Sequence, residues 1–484
     1  MIAALVLLPV LAGLVAFGLR ARRLREILLV GTAGVHAALA VAAALAPPSA
    51  TAGAWLGLDE LGGLFLVITS VLFLGVSIYA VGYLRREPEH PQTDLEEGFL
   101  FSNEPEPTFV ACLLFFLASM TLVTLSRHLG LLWVGVEATT LASAPLVYFH
   151  RQHRSLEATW RYLIVCSVGI ALALLGNLLI AGAAGPGGSI RLDDLLARAP
   201  SLRRDWLEAG FLLVLVGFGT KMGLAPMHTW LPDAHGESPS LVSALLSGAL
   251  LNCAFLGILR VRQVLSAAGA ADFAAGPLEA FGLISMGLAA LFIVRQTDYK
   301  RMLAYSSVEH MGVLCFGVGV GGVATFGAML HAVVHSLTKA ALFLLAGNLL
   351  AAYASKRAAS VRGATSVVPA SALLWVAGVL AITGVPPFGI FLSEITILRG
   401  AAAHDLALAA LFLLFLAIAF AGISASALPM AIGAAPAVRL RAREPVSAIL
   451  PPLLFLALAL LFGAYLPAPL ASLLHGAARL AGGS

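Results

Sequence analysis

Apolar stretches long enough to cross a lipid bilayer recur along nearly the whole chain, separated by short charged or Pro/Gly-rich breaks. A crossing helix needs about 20 such residues, and within lipid every backbone polar group must be bonded inside helices or closed barrels. Runs beginning near residues 2, 27, 61, 108, 129, 160, 208, 239, 276, 302, 322, 369, 402 and 446 predict about fourteen transmembrane helices. With 60% of its 484 residues apolar and a mean hydropathy of +0.96, the chain is expected to be an all-α polytopic membrane protein in a lipid bilayer. That class excludes a nucleic-acid binder, a secreted disulfide scaffold and a cytosolic enzyme. The first run follows Met1 with no basic segment before it, so it reads as a span and not as a cleaved signal.

Basic residues orient the bundle. One set of alternate connections carries Arg22, Arg85, Arg151, Lys300, Lys356, Arg439 and Arg441 among others, and the opposite set holds roughly half as many. The positive-inside rule makes the richer side cytoplasmic and puts both termini outside, although Arg191, Arg198, Arg203 and Arg204 fall on the outer side. The polar stretch from Arg85 to Pro107 reads as a flexible inner connection. Cys112, Cys166, Cys253 and Cys315 each lie alone among apolar residues, so cysteine encodes no iron–sulfur or zinc site and serves packing.

A charged side chain at mid-bilayer costs about 2.5–3.5 kcal/mol even on the lenient insertion scale, so ionisable residues inside the runs carry the functional information. The chain has four lysines; Lys221 and Lys339 fall within apolar runs, as do Glu137 and Glu394. His331, His335 and Lys339 recur every four residues and share one helix face, and Glu309 and His310 add a titratable pair in the preceding span. Acids, amines and a histidine ladder together predict a proton relay.

Two spans contain helix breakers, at Gly223 and Pro226 and at Gly384, Pro386, Pro387 and Gly389, about 160 residues apart. That spacing predicts two related, inverted five-helix repeats: 108–262 and 276–432, flanked by a three-helix segment with an inner loop at 1–107 and a C-terminal helix at 433–484. Paired broken helices in corresponding halves point to a transport site.

His331 and His335 have the spacing of a metal-binding helix, but no glutamate lies between them and Lys339 places a cation one turn away, so no metal site is expected. Haem ligation is likewise not expected, and neither a Walker loop nor a dinucleotide motif is present. The chain is therefore expected to hold no cofactor and no redox centre, and to draw its energy from a partner or an ion gradient.

The stretches KMGLAPMHTWLPDAHGESPSLVSALLSGALL, TDYKRMLAYSSVEHMG, HAVVHSLTKAALFLLAGN and GVPPFGIFLSE resemble the antiporter-like proton-translocating subunits of complex I, Mrp-type antiporters and membrane-bound hydrogenases. The likeness runs over roughly residues 60–430, and YSSVEHMG and LLNCAFLGILR are most similar to the hydrogenase-4 component F type. The resemblance implies an ion pair between Glu137 and Lys221, a central relay of His331, His335 and Lys339, and an exit group at Glu394. Many relatives carry a second lysine where this chain has Asn252, which implies that His228, His235 or water bridges the gap. A counterpart of the lateral helix of one complex I subunit is not expected after the fourteenth run. The resemblance further implies other membrane and hydrophilic subunits as partners, protons or Na⁺ as the moved ion, and the cell inner membrane as location. An Mrp-type Na⁺/H⁺ antiporter and an inorganic-carbon uptake system are the alternative settings.

Overall fold

The computed structural model describes residues 1–48, 54–88, 90–93, 98–185, 188–434 and 442–482. Arg439 and Arg441 lie outside the described residues. Apart from a two-residue antiparallel pair, Gln92–Thr93 (β1) with Leu100–Phe101 (β2), the regular structure there is helical.

Three helices lead: Ile2–Gly18 (α1), Arg22–Leu45 (α2) and Glu60–Leu84 (α3). The first half of the bundle holds Glu106–Leu125 (α4), Leu129–Val147 (α5) and His153–Ala183 (α6). After the short Leu192–Ala197 (α7) come the broken crossing Arg204–Met222 (α8) with Trp230–Glu237 (α9), and Ser240–Leu245 (α10) running through a π-helical turn into Leu251–Ala267 (α11). The second half holds Ala271–Val294 (α12), Tyr299–Val320 (α13) and Gly322–Tyr353 (α14). The single turn Ala364–Val367 (α15) precedes the broken crossing Pro369–Ile382 (α16) with Gly389–His404 (α17), then Leu406–Ile432 (α18). Val446–Ala464 (α19) and Ala468–Leu480 (α20) close the chain.

Among the described residues, twelve helical segments are long and apolar enough to cross a membrane, and α1 and the α16–α17 pair complete fourteen crossings, starting close to where the apolar runs start. Each half contributes five crossings. An odd number returns the chain to the opposite side, so the second half runs inverted relative to the first. The packing repeats accordingly: α5 lies against α4 and α8 against α6, as α13 lies against α12 and α17 against α14. The apolar core of α14 and that of the α10–α11 crossing are wholly buried, so these two form the axis of the bundle. Residues 468–480 hold a helix beyond the single C-terminal one expected; α20 buries Leu474, Gly476, Ala477 and Ala478 against α3 and α14. Thirteen residues are too few to read as a span.

Acidic side chains start several helices by accepting from free backbone N–H groups. Asp59 caps α3, Asp298 caps α13 through Lys300 and Arg301, and Asp405 caps α18. Charged pairs gather at the two ends. The basic-rich end holds Arg25–Glu106 (3.1 Å), Arg85–Glu26 (2.5 Å), Arg161–Asp233 (2.7 Å) and Lys356–Glu237 (2.9 Å). At the other end Asp59 receives Arg260 (2.5 Å) and Arg127 (2.6 Å), and Arg127 also meets Asp193. Burial would raise the Asp59 carboxyl, but the two guanidiniums, Arg260 foremost, hold it far below the usual carboxylate range. The connection expected to be flexible is pinned in its described residues: Asn103 bonds Glu87 (2.8 Å) and His150 (3.0 Å), and Glu104 pairs with Arg151 (2.5 Å). The four cysteines are buried and free.

Candidate functional site

Gly223 ends α8 in the left-handed region (φ 84°), and Leu224 N–H closes the turn on the Gly219 carbonyl. Ala225 N–H then donates to Ser285 Oγ (2.9 Å), which anchors the break to α12. Lys221 therefore stands in the last turn of α8, wholly buried, where free carbonyls favour a cation. Its Nζ donates to Tyr162 OH (2.6 Å) and Thr140 Oγ1 (2.9 Å) and lies over the Tyr162 ring.

The expected Glu137–Lys221 ion pair is corrected by this geometry. Glu137 shares the outward stripe of α5 with Val134 and Leu141 and is only half-buried, so it does not reach the amine. Thr140, one turn on, faces inward and bridges them, accepting from Lys221 and donating to Glu137 Oε2 (3.4 Å).

On α11, Asn252 follows the π-helical turn Leu246–Leu250, a backbone irregularity common at functional positions. Asn252 Nδ2 donates to Ser336 Oγ (2.8 Å) on α14, beside His335, and its Oδ1 is buried without a partner. Asn252 thus ties the first half to the central helix.

The centre of the site is formed by α13, α14 and α17. Ser393 donates its one hydroxyl proton to the Ile390 carbonyl (2.8 Å), so it accepts from His331 Nδ1–H (2.9 Å). Neutral His331 then presents a bare Nε2, which accepts from His310 Nδ1–H at 3.0 Å. That leaves His310 Nε2 as an unpartnered buried nitrogen. Two imidazoles and a hydroxyl are thereby aligned head to tail, the order a proton-passing wire requires. The His335 ring lies 5.0 Å from that of His310, with both nitrogens unpartnered. Lys339 Nζ donates to the Leu303 carbonyl (2.8 Å), and Glu309, with its Oε2 unpartnered, lies within electrostatic reach of Lys339 and Glu394.

Glu394 sits in the second turn of α17, 9% exposed, with its carboxylate against the backbone of Gly384 in the break. Gly384 has φ 70°, which favours glycine, and a Cβ there would meet the carboxylate and push it aside. A cavity of about 280 Å³ extends from Glu394 past Thr383, Phe391 and Leu398 toward the side of the bundle.

At the basic-rich end a cavity of about 390 Å³ is lined by Tyr83, Glu87, His150, Glu237, Lys300 and Lys356, among others. Lys300 is buried and donates to the Ser238 carbonyl (2.6 Å); Ser238 bonds Ser243 (2.8 Å), which donates to the His235 carbonyl (3.2 Å). His235 stacks on Phe343, one turn from Lys339, with both nitrogens unpartnered, and feels both Lys300 and Lys339. His228 stands apart, against Phe292 and Tyr305.

The structure thus brings Glu137 and Lys221 together in one group, and Glu309, His310, His331, His335, Lys339 and Glu394 in another, with Asn252 between. Thr140, Tyr162, Ser393 and Lys300 join them without having been singled out in the sequence. Hydroxyl residues are too common in membrane helices to signal a role, but Lys300, one of four lysines, had a signal in its rarity.

A family profile described as NADH:quinone oxidoreductase/Mrp antiporter, TM, matches residues 126–421. The chain is 39% identical over 368 residues to the hydrogenase-4 component F homolog of Methylacidiphilum infernorum (isolate V4), which covers 74% of this chain and 75% of that protein. It is 31% identical over 373 residues to hydrogenase-4 component B of Escherichia coli (strain K12), covering 74% of this chain and only 53% of that longer relative. Among solved structures, a chain of respiratory complex I from Thermus thermophilus superposes with a TM-score of 0.81 at 26% identity, covering 100% of both chains.

Proposed function

This chain belongs to the NADH:quinone oxidoreductase/Mrp antiporter membrane family, and from that premise we propose that it is the proton-translocating subunit of a redox-driven complex of hydrogenase-4 or NADH:quinone oxidoreductase type. It lies in the cell inner membrane with its basic-rich end cytoplasmic, and 108–262 and 276–432 act as its two five-helix units. The observation that carries this reading is the file of buried titratable side chains from Lys221 to Glu394, flanked by two broken helices.

Lys221 takes a proton from the cytoplasmic side while the Glu137 charge, relayed through Thr140, favours the ammonium. When Glu137 is drawn away the amine releases its proton. Glu137 faces outward from α5, so the partner that moves it is a neighbouring subunit lying against that helix. The proton passes Asn252 and Ser336 to His335 and Lys339. From there His310 takes it on Nε2 and gives up its Nδ1 proton to His331, beside Glu394. The unpartnered atoms of Asn252, His335, Glu309 and His310 have the hydrogen-bonding capacity that connecting water molecules would use. Energy comes from electron transfer in partner subunits. Lys221→Met in membrane vesicles carrying the intact complex and supplied with electron donor is expected to abolish proton uptake; undiminished uptake rejects the proposal.

A further inference from the structure

His310 on α13, His331 on α14 and Glu394 on α17 are also a ligand set. Each offers one donor atom, these atoms all lie within 4.8 Å of one another, and none of the three residues is more than 9% exposed. His310 Nδ1 and His331 Nε2 stand 3.0 Å apart. Two nitrogens on one tetrahedral zinc, each at about 2.0–2.1 Å, stand about 3.3 Å apart, so opening the pair by a few tenths of an ångström admits the ion. The carboxylate has freedom to approach, since Gly384 has no Cβ beside it and a cavity of about 280 Å³ begins there.

Half of the supporting shell is also present. Metal-bound histidines almost always donate their second ring N–H to a fixed acceptor, and His331 already does so to Ser393. His310 binds through Nδ1 only with its proton moved to Nε2, a buried nitrogen with no protein acceptor, so this second ring N–H is left to a water molecule. Two imidazoles with one carboxylate suit zinc-type ions and are a poor match for Na⁺ or Mg²⁺, which take oxygen ligands. His335, the i+4 partner of His331, is not one of the three groups: its ring lies 6.1 Å from that of His331.

We propose that His310, His331 and Glu394 bind one divalent zinc-type cation, and that the bound ion stops proton passage by displacing the proton shared between the two imidazoles. The blocking role rests on the relay reading above; the binding site does not.

The full chain purified in detergent tests the site, with Co²⁺ as the visible probe and Zn²⁺ as competitor. One Co²⁺ per chain is expected, with the strong visible bands of four-coordinate cobalt, displaced by Zn²⁺. His331→Gln and Glu394→Gln are each expected to abolish it, and His475→Gln, outside the relay, to leave it unchanged. Ser393→Ala keeps all three ligands and is expected to weaken binding about 10–100-fold. No binding by the folded wild-type chain, or full binding in both ligand variants, overturns the site. Should the ligand variants misfold, unchanged affinity in Ser393→Ala overturns it. In vesicles holding the parent complex, Zn²⁺ is expected to stop proton uptake. Undiminished uptake with the site filled overturns the blocking role alone, and Lys221→Met tests the relay independently of either result.

Discussion

His310 and His331, 21 residues apart in the chain, are joined by a hydrogen bond of 3.0 Å between α13 and α14. The direction of that bond follows from Ser393, whose proton is committed to the Ile390 carbonyl, so that both imidazoles donate from Nδ1. A histidine pair ordered in this way passes a proton by accepting on one nitrogen and releasing from the other. Each ring of the pair comes from a different helix.

The hydroxyl between Glu137 and Lys221 is open to direct test. Thr140→Val keeps the side-chain shape but removes the bridge. Proton translocation by the intact complex is expected to fall roughly tenfold, the effect of about 1.4 kcal/mol on a barrier, with unchanged chain abundance. A rate equal to that of the parent would show that Glu137 acts on Lys221 by another path.

Gly384→Ala forces a Cβ onto the Glu394 carboxylate at a residue with φ 70°. The left-handed conformation alone costs about 1–2 kcal/mol. Both a lower thermal midpoint of the purified chain and loss of translocation are expected. Normal values for both would mean that the break relaxes without moving Glu394.

Arg260 and Arg127 share Asp59, but Arg260 is 1% exposed whereas the Arg127 side chain is 19% exposed. Breaking a buried pair from one side costs about 3–5 kcal/mol, and an exposed pair contributes far less. Arg260→Met is therefore expected to lower the thermal midpoint well beyond Arg127→Met. Equal shifts would contradict this ranking.

His150 lies between helices at the basic-rich end, bonded to Asn103 and to Tyr83 (3.3 Å). Burial, aided by the Lys300 and Lys356 charges, pushes its imidazole from 6.5 down to about 3. Between those values the unfolded chain binds the extra proton, so stability is fully present above about pH 6.5 and falls as the pH drops toward 3, by at most about 1.4 kcal/mol per unit. Thermal unfolding of the detergent-solubilised chain is expected to show that slope, and His150→Gln to flatten it. Identical slopes in the two chains would remove His150 as the cause.

The crossings and the relay were legible to different degrees. Runs of apolar residues marked all fourteen crossings near their starts, and the breakers at Gly223 and Gly384, each close to a charged residue (Lys221, Glu394), marked both broken helices, because a polar or charged group is costly in lipid unless something satisfies it. Lys221, Lys339, Glu309, His310, His331 and Glu394 stood out for the same reason. Thr140, Tyr162 and Ser393 did not, since a hydroxyl in a helix ordinarily satisfies itself on its own backbone, as Thr159 does. Lys300 was counted among the orienting charges of a connection, and burial beneath Ser238 was invisible until the halves were packed. The helix at 468–480 escaped because its apolar face makes sense only against α3 and α14.

The amino-acid order alone determined that this chain must live in lipid as a helical bundle and which of its residues are too costly there to be accidental, because transfer free energy is a property of each segment taken by itself. Only the tertiary structure decided which of those residues meet. Whether Glu137 touches Lys221 directly or through Thr140, and whether His331 pairs with His335 or with His310, depends on how helices far apart in the chain turn their faces to one another, and packing fixes that rotation.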